Sequence, residues 1–212
     1  MKPNTNCKEY LEAVTVERMR ESDKYTIENF VSGKELMYRA ANGIYHSYSF
    51  SGKKIAIAAG SGNNGGDGYA LACILKDNGI NSVIYRLSDK FSEDGKYYFD
   101  LAKEKGLPDI LFSEKDEFKG YDVIVDCIFG TGFKGKPEGI SAAAINKINS
   151  SGAFVISADI NSGLNGNTGE AQLAVKSDLT VSIGFYKTGM FKGDAPSLIG
   201  DLVNVDIGIK LV

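Results

Sequence analysis

The sequence predicts a Rossmann-like three-layer α/β/α architecture, a mostly parallel, doubly wound sheet preceded by two amino-terminal helices. Three observations carry this. Apolar runs of strand length alternate with segments of helical length, the pattern of βαβ crossovers. The residues before the first such run recur at a helical period instead. The first run then leads into a glycine-crowded turn, Gly60-Ser61-Gly62-Asn63-Asn64-Gly65-Gly66-Asp67-Gly68, which opens a helix.

Taken in order, Leu11 to about Tyr48 reads as helical: Val14, Met19 and Ile27 recur among charges, then Leu36, Met37, Ala40, Ala41, Ile44 and Tyr45 fall near a 3.6 period. Two helices therefore precede the sheet. Strands are expected at Ile55 to Ala59, Ser82 to Leu87, Val123 to Ile128 and Phe154 to Ser157, and crossover helices at Gly66 to Asn78, Glu93 to Lys105 and Ser141 to Asn149. Beyond Gly163 the rhythm changes. Asn165-Gly166-Asn167-Thr168-Gly169 reads as a turn, and Leu179 to Ile183 and Leu202 to Ile207 as strands that extend the sheet.

The chain has 212 residues, 43% of them hydrophobic, enough for one substantial core, and it is read as a single domain over 1–212. A net charge of −3 with scattered lysines and arginines argues against a nucleic-acid footprint. No stretch approaches membrane-spanning length, and the first residues lack the apolar core of a signal peptide. Cys7, Cys73 and Cys127 are odd in number and far apart, which suits a reducing cytoplasm. His46 is the only histidine, so imidazole triads and multi-histidine metal sites are excluded, and without a Cys/His cluster zinc is disfavoured.

In open α/β sheets ligands bind beyond the carboxyl ends of the strands. Three such places carry polar groups that a structural turn does not need. The first is Asn63-Asn64-Gly65-Gly66-Asp67, where glycines admit a ligand to the backbone and the helix start suits phosphate. The second is Asp126, an acid inside an apolar strand, followed by Gly130-Thr131-Gly132-Phe133-Lys134-Gly135-Lys136, a loop able to wrap a phosphate or to remain a solvated face. The third is Asp159-Ile160-Asn161-Ser162, again an acid at a strand end with a hydroxyl close behind. Adjacent strands would bring Asp126, Asp159, Asn64 and Ser162 to one crevice.

Gly60, Gly62 and Gly65 also match the G-x-G-x-x-G spacing of dinucleotide-binding dehydrogenases. That fingerprint wants an acid at the end of the second strand, and none appears until Asp89. A hydride-transferring enzyme is therefore disfavoured.

These motifs, in this order, resemble the NAD(P)H-hydrate epimerase family, the YjeF N-terminal domain, over about Met19 to Ile209. The resemblance implies an isomerase that interconverts the R and S forms of NADHX and NADPHX in nicotinamide nucleotide repair. It implies substrate contacts from Asn63, Asn64, Gly65, Gly66, Asp67, the loop Gly130 to Lys136, and Asp159. It also implies potassium held by Asn64, Asp126 and Ser162, an oxygen-rich set suited to a hard cation. Asp159 is the candidate for proton transfer, with Asp67 and Lys134 as second candidates. A dehydratase that consumes the S form is the implied functional partner, fused in many bacteria, and a homodimer through the amino-terminal helices is expected. Whether the chain is a stand-alone epimerase or half of a fused protein stays open.

Some positions depart from the family pattern. Asn161 replaces a usual proline, which suggests a looser turn, and Glu35-Leu36-Met37-Tyr38-Arg39-Ala40-Ala41 stands where the family usually reads Met-Glu-Asn-Ala-Gly. Lys187, in a late Tyr-Lys-Thr-Gly motif, is either a surface-loop residue or a ligand contact. Arg86 is either an exposed strand-end residue or a partner for a 2′-phosphate. A non-catalytic binding module on the same fold is the alternative from another class, and it has no chemical need for these polar groups together.

Overall fold

The structure, a computed structural model, describes residues 13–212, so Leu11 and Cys7 lie outside the described residues. Two helices come first. α1 (Val16–Asn29) is capped by Thr15, whose hydroxyl accepts from the Arg18 N–H at 3.2 Å, and α2 (Gly33–His46) is capped by Ser32, which accepts from Glu35 N–H at 3.2 Å. α2 buries Leu36, Met37, Ala40, Ala41 and Ile44, one face of a 3.6-period helix.

The remaining elements follow as β1 (Ile55–Ala59), α3 (Asn63–Asp77), β2 (Ser82–Arg86), α4 (Glu93–Glu104), β3 (Asp109–Leu111), β4 (Val123–Cys127), α5 (Gly139–Asn149), β5 (Phe154–Ala158), β6 (Leu179–Ile183) and β7 (Asp201–Val205). All seven strands are parallel, in the order β3-β2-β1-β4-β5-β6-β7. The order reverses between β1 and β4, where Ala59 lies beside Cys127. A crevice opens at such a switch point because the chain leaves the two strands in opposite directions.

Burial follows from the crossovers. β1, β4 and β6 are buried along their full length, as parallel strands covered on both faces should be. One core layer joins α2, α3 and α4 to one face of the sheet through side chains such as Ile44, Leu71 and Ile84. The other packs α5 and the Phe112 to Phe118 segment on the opposite face through Ile124, Ile145 and Tyr85.

Three elements differ from the sequence expectation. β3 was not expected: it is three residues long and its apolar run, Ile110-Leu111-Phe112, falls short of strand length, yet it pairs with β2 in parallel. α3 starts at Asn63 rather than Gly66. Glycine is a poor helix former, but here close packing overrides propensity: a Cβ on Gly65 would fall 2.0 Å from the Gly60 carbonyl oxygen, and one on Gly66 would fall 2.9 Å from the Gly95 Cα. The Asn63 to Asp67 segment is thus the first turn of the helix, wedged against β1 and α4. Val14, expected in the first helix, instead forms an isolated parallel bridge to Lys187, and α1 starts at Val16; the other strand and helix limits agree within one or two residues.

Candidate active site

The three strand ends meet in a cavity of about 590 Å³ between the sheet and the amino-terminal helices. Its floor is the first turn of α3, the loop after β4 and the end of β5; its walls are α1 and α2. Asn63, Asn64, Asp67, Gly130, Thr131, Gly132, Phe133, Lys134 and Asp159 all line it. Gly65 and Gly66 do not, because they are packed within the α3 junction, and Gly135 and Lys136 lie beyond the lining. Of the expected substrate contacts, these four are thus not among the residues that line the cavity.

α3 presents its amino terminus to this space. Gly62 caps it without a side-chain hydrogen bond, so the first-turn N–H groups keep no intrahelical acceptor and the positive end of the helix dipole faces the cavity. That is a phosphate-binding arrangement. Beside it, both side-chain polar atoms of Asn64 are buried without a hydrogen-bond partner. A buried amide left so is costly, and its position on the cavity points to a ligand or ion that completes it.

Asp159 is held in an unusual way. It is the single non-glycine residue with positive φ, +66°, among the described residues, a left-handed conformation that aspartate tolerates better than most. Its N–H donates to Val181 O at 2.8 Å and the Ile160 N–H turns back to Ala158 O at 2.8 Å. The tight turn aims the carboxylate at the cavity. One oxygen accepts from the Lys187 ammonium, and the other from Thr131 N–H at 3.3 Å.

Lys187 is not a surface residue. Its side chain is fully buried, and besides Asp159 its ammonium donates to Ile183 O at 2.8 Å and Ser182 Oγ at 3.4 Å. The adjoining backbone is stapled to the start of the described chain, with Val14 N–H donating to Tyr186 O at 2.8 Å and Thr188 N–H to Val14 O at 3.0 Å.

Asp126 and Ser162 sit one layer below the cavity rather than on it. Fully buried, Asp126 accepts four hydrogen bonds: Ser162 Oγ at 2.5 Å and Ile128 N–H at 3.2 Å on Oδ1, Ser162 N–H at 2.9 Å and Ser157 Oγ at 3.0 Å on Oδ2. Burial raises its pKa and these bonds oppose the rise. The cost of burying this acid is met by the protein itself. Ser162 Oγ also accepts from Phe129 N–H at 2.8 Å, which ties β5 to the loop after β4.

That loop passes between Asn64 and Asp159. A Cβ on Gly130 would lie 3.0 Å from Asp159 Oδ2 and 3.4 Å from Asn64 Cβ, so a side chain there would crowd both and displace the carboxylate by a few tenths of an ångström. Phe129 and Phe133 stack at 4.2 Å between ring centroids and stiffen the turn.

Asn161 does not loosen its turn. With no exposed surface, its Nδ2 donates to Val175 O at 3.0 Å, Ser177 Oγ at 2.9 Å and Leu198 O at 3.0 Å, while Oδ1 accepts from Thr180 Oγ1 at 2.8 Å. The residue that departs from the family pattern fastens the Asp159 turn to β6 and the segment before β7. The other atypical segment places Leu36, Met37 and Ala40 on the cavity wall.

Two groups that line the cavity carry raised pKa values. Burial pushes Asp67 well above the usual carboxylate range, and the charges of Asp159 and Asp23 add to this while Lys187 opposes it. Asp23, on α1, is pushed up to about 7 by burial and by the Asp159 charge, again opposed by Lys187. Sequence reasoning passed over Asp23. The available signal was its spacing: it stands four residues from both Met19 and Ile27, inside the apolar stripe of α1.

Elsewhere the residues are structural. Arg86 pairs with Asp109 at 2.9 Å and also with Asp89, and it does not reach the cavity. His46 lies on α2 with Nδ1 at 2.8 Å from Asn42 O, and Cys73 and Cys127 are buried free thiols. Among the described residues no three His, Cys, Asp or Glu side chains group as a metal site, and no helix is long and apolar enough to cross a membrane.

Comparison with known proteins identifies the family and the fold. Residues 33–189 match the family described as YjeF-related protein N-terminus. The NAD(P)H-hydrate epimerase of Oenococcus oeni is 35% identical over 195 residues, covering 88% of this chain and 92% of that protein. A bifunctional NAD(P)H-hydrate repair enzyme of Coxiella burnetii is 32% identical over 199 residues, and the match spans 91% of this chain but 41% of the relative. A yeast protein of known crystal structure superposes with a TM-score of 0.75 over 92% of this chain and 87% of its own, at 21% identity, which shows the shared fold. On the family match and on identities above 30% across most of its length, the chain belongs to the NAD(P)H-hydrate epimerase family, built on the YjeF-related amino-terminal domain.

Proposed function

We propose that the protein is an isomerase that interconverts the R and S forms of NADHX and NADPHX. The observation that carries this reading is the Asp159 carboxylate, turned into the cavity by a left-handed residue and backed by a buried lysine, beside an uncapped helix amino terminus. Family membership sets the substrate class. The helix end and Lys134 suit the pyrophosphate, which leaves the hydrated ring to reach Asp159.

Epimerisation requires that hydroxide leave the hydrated carbon with a proton supplied, that the neighbouring ring nitrogen carry the resulting cation, and that water return to the other face as its proton is removed. Asp159 is the first choice for one of these transfers, in hydrogen-bonded contact with Thr131 and Lys187. Burial pushes the Asp67 carboxyl, on the cavity floor, well above the usual carboxylate range, which favours the protonated form that can donate a hydrogen bond to substrate. Lys134 stands at the loop where a phosphate charge would be met.

The potassium reading is supported by Asn64, whose unpartnered amide oxygen is of the type a hard cation takes. Asn64, Asp126 and Ser162 would hold the ion. The Ser162 hydroxyl has a second acceptor, Phe129 O at 3.2 Å, and turning its proton there would free a lone pair of Asp126 Oδ1. When bound, the ion would supply positive charge near the anionic substrate and fix the loop after β4.

The functional partner in this reading is a dehydratase acting on the S form, and the fused Coxiella relative supports such a pairing of activities. α1 exposes Tyr25 and Ile27, and its C-cap residue Phe30 is exposed as well, which supports association of two copies through the amino-terminal helices. A cytoplasmic setting follows from the nucleotide substrate. R-to-S exchange measured by chiral chromatography, with and without potassium, tests the whole reading; absence of exchange would favour a non-catalytic binding module.

A further inference from the structure

The amino-terminal helix brings to the site a carboxyl group that none of the sequence motifs contains. Met19, Asp23 and Ile27 recur at four-residue spacing and all three line the cavity, so Asp23 stands on the α1 face that closes the site. A solvated acid belongs on the opposite face of such a helix. No donor or cation among the described residues contacts its carboxyl. It faces the cavity unpaired, unlike Asp159.

The surrounding charges are few. α2 contributes only Gly33, Leu36, Met37 and Ala40 to the lining, none of which titrates. α3 contributes Asp67, α4 contributes Asp94, and the loop after β4 contributes Lys134. Asp159 faces in from β5 with Lys187 buried behind it, and Arg20 is the charged neighbour on α1 itself.

Inversion at a ring carbon imposes a demand that one acid does not meet. Water leaves from one face of the ring and returns to the other, so a proton must be delivered on one side and removed on the other. Resting on the epimerase reading above, we propose that Asp23 is the second catalytic carboxyl of this site, acting from the α1 wall while Asp159 acts from the sheet.

In one direction the Asp23 carboxylic acid gives its proton to the hydroxyl, the carbon–oxygen bond breaks with its electron pair going to oxygen, and the ring nitrogen lone pair forms the iminium. A water then attacks the other face, the nitrogen recovers its lone pair, and the Asp159 carboxylate takes the released proton. The pair ends with its proton moved from Asp23 to Asp159, which is the starting state for the reverse reaction. Asp67, which feels the charges of both, and cavity water offer a route for the proton to return. Burial and the unneutralised setting of Asp23 favour its carrying the proton at rest: it is pushed up to about 7, whereas Lys187 is spent on Asp159.

Asp23→Asn keeps the shape and removes the transferable proton. With purified protein and NADHX, the variant should keep KM within about threefold and lose kcat by about 100-fold or more. Wild-type kcat should fall as pH rises through about 7, a limb absent from the residual activity of the variant. Asp23→Glu should recover part of the rate. Wild-type kcat in Asp23→Asn, or a loss confined to KM with the limb intact, would overturn the assignment. Should Asp23→Asn not fold, a wild-type profile flat around pH 7 overturns it equally. No exchange by wild type at any pH would reject the epimerase reading itself, and this assignment with it.

Discussion

Lys187 donates its ammonium to the Asp159 carboxylate from a position with no solvent exposure. The pair joins the segment after β6 to the end of β5, and its free side is the cavity. Two charges taken out of water need partners on every side, and Ile183 O and Ser182 Oγ complete the lysine. Lys187 is therefore a positioning residue that fixes the direction and charge of the proposed proton carrier.

Lys187→Met should destabilise the fold by about 3–5 kcal/mol, because it leaves the Asp159 charge without its buried counter-ion. Denaturant melts would show it. Lys187→Arg should not rescue, since the pocket around the ammonium is closed.

Asp67→Asn should raise stability at neutral pH while lowering exchange. The folded-state pKa of Asp67 lies well above the unfolded value of 3.8, so the folded protein holds the proton longer, and the stability this contributes is lost as pH rises above about 4. The variant lacks that loss. Its melting temperature relative to wild type should be near zero at pH 4 and grow toward pH 7.5, corresponding to about 1–3 kcal/mol.

Asn161→Ala should cost about 1–3 kcal/mol or more, because it strips partners from Thr180 Oγ1 and from the carbonyls of Val175 and Leu198 inside the protein. Asn161→Pro should lose the same contacts, so restoring the family's usual residue should not stabilise this chain. Thermal melts of both variants check this.

Gly60→Ala should be among the most damaging single changes. The added Cβ would lie 1.9 Å from the Ile128 carbonyl oxygen, a backbone atom that cannot swing aside. Overpacking of this kind costs about 1–3 kcal/mol or more, and it would push β1 from β4 at the floor of the site. Loss of soluble expression or a lowered denaturant midpoint is the expected readout.

Much of this was legible in the sequence because parallel strands are buried on both faces and advertise themselves as apolar runs. β1, β4, β5 and β6 were readable for that reason, and Asp126 and Asp159 stood out as acids where apolar residues were due. β3 was hidden by its length, three residues. The start of α3 was misplaced because glycine reads locally as a turn, while the contacts of Gly65 and Gly66 that keep it helical come from β1, α2 and α4. Lys187 read equally as a surface-loop residue or a ligand contact, since nothing local marks a lysine as buried; its partner lies 28 residues away. Asp23 was legible only through its place in the α1 stripe, once the cavity showed which way that stripe faces.

Asn64→Ala should remove any potassium dependence of the exchange rate while leaving the fold intact, since the amide makes no hydrogen bond that the protein would lose. Rates in potassium and in sodium, compared for wild type and variant, check this.

The most direct measurement is the rate at which purified protein exchanges the R and S forms of NADHX and NADPHX, resolved by chiral chromatography, for wild type and Asp159→Asn. Exchange well above the spontaneous rate, reduced by at least about 100-fold in kcat in the variant with little change in KM, is the expected result. Wild-type protein that leaves the spontaneous rate unchanged, or an Asp159→Asn variant as fast as wild type, would contradict the account.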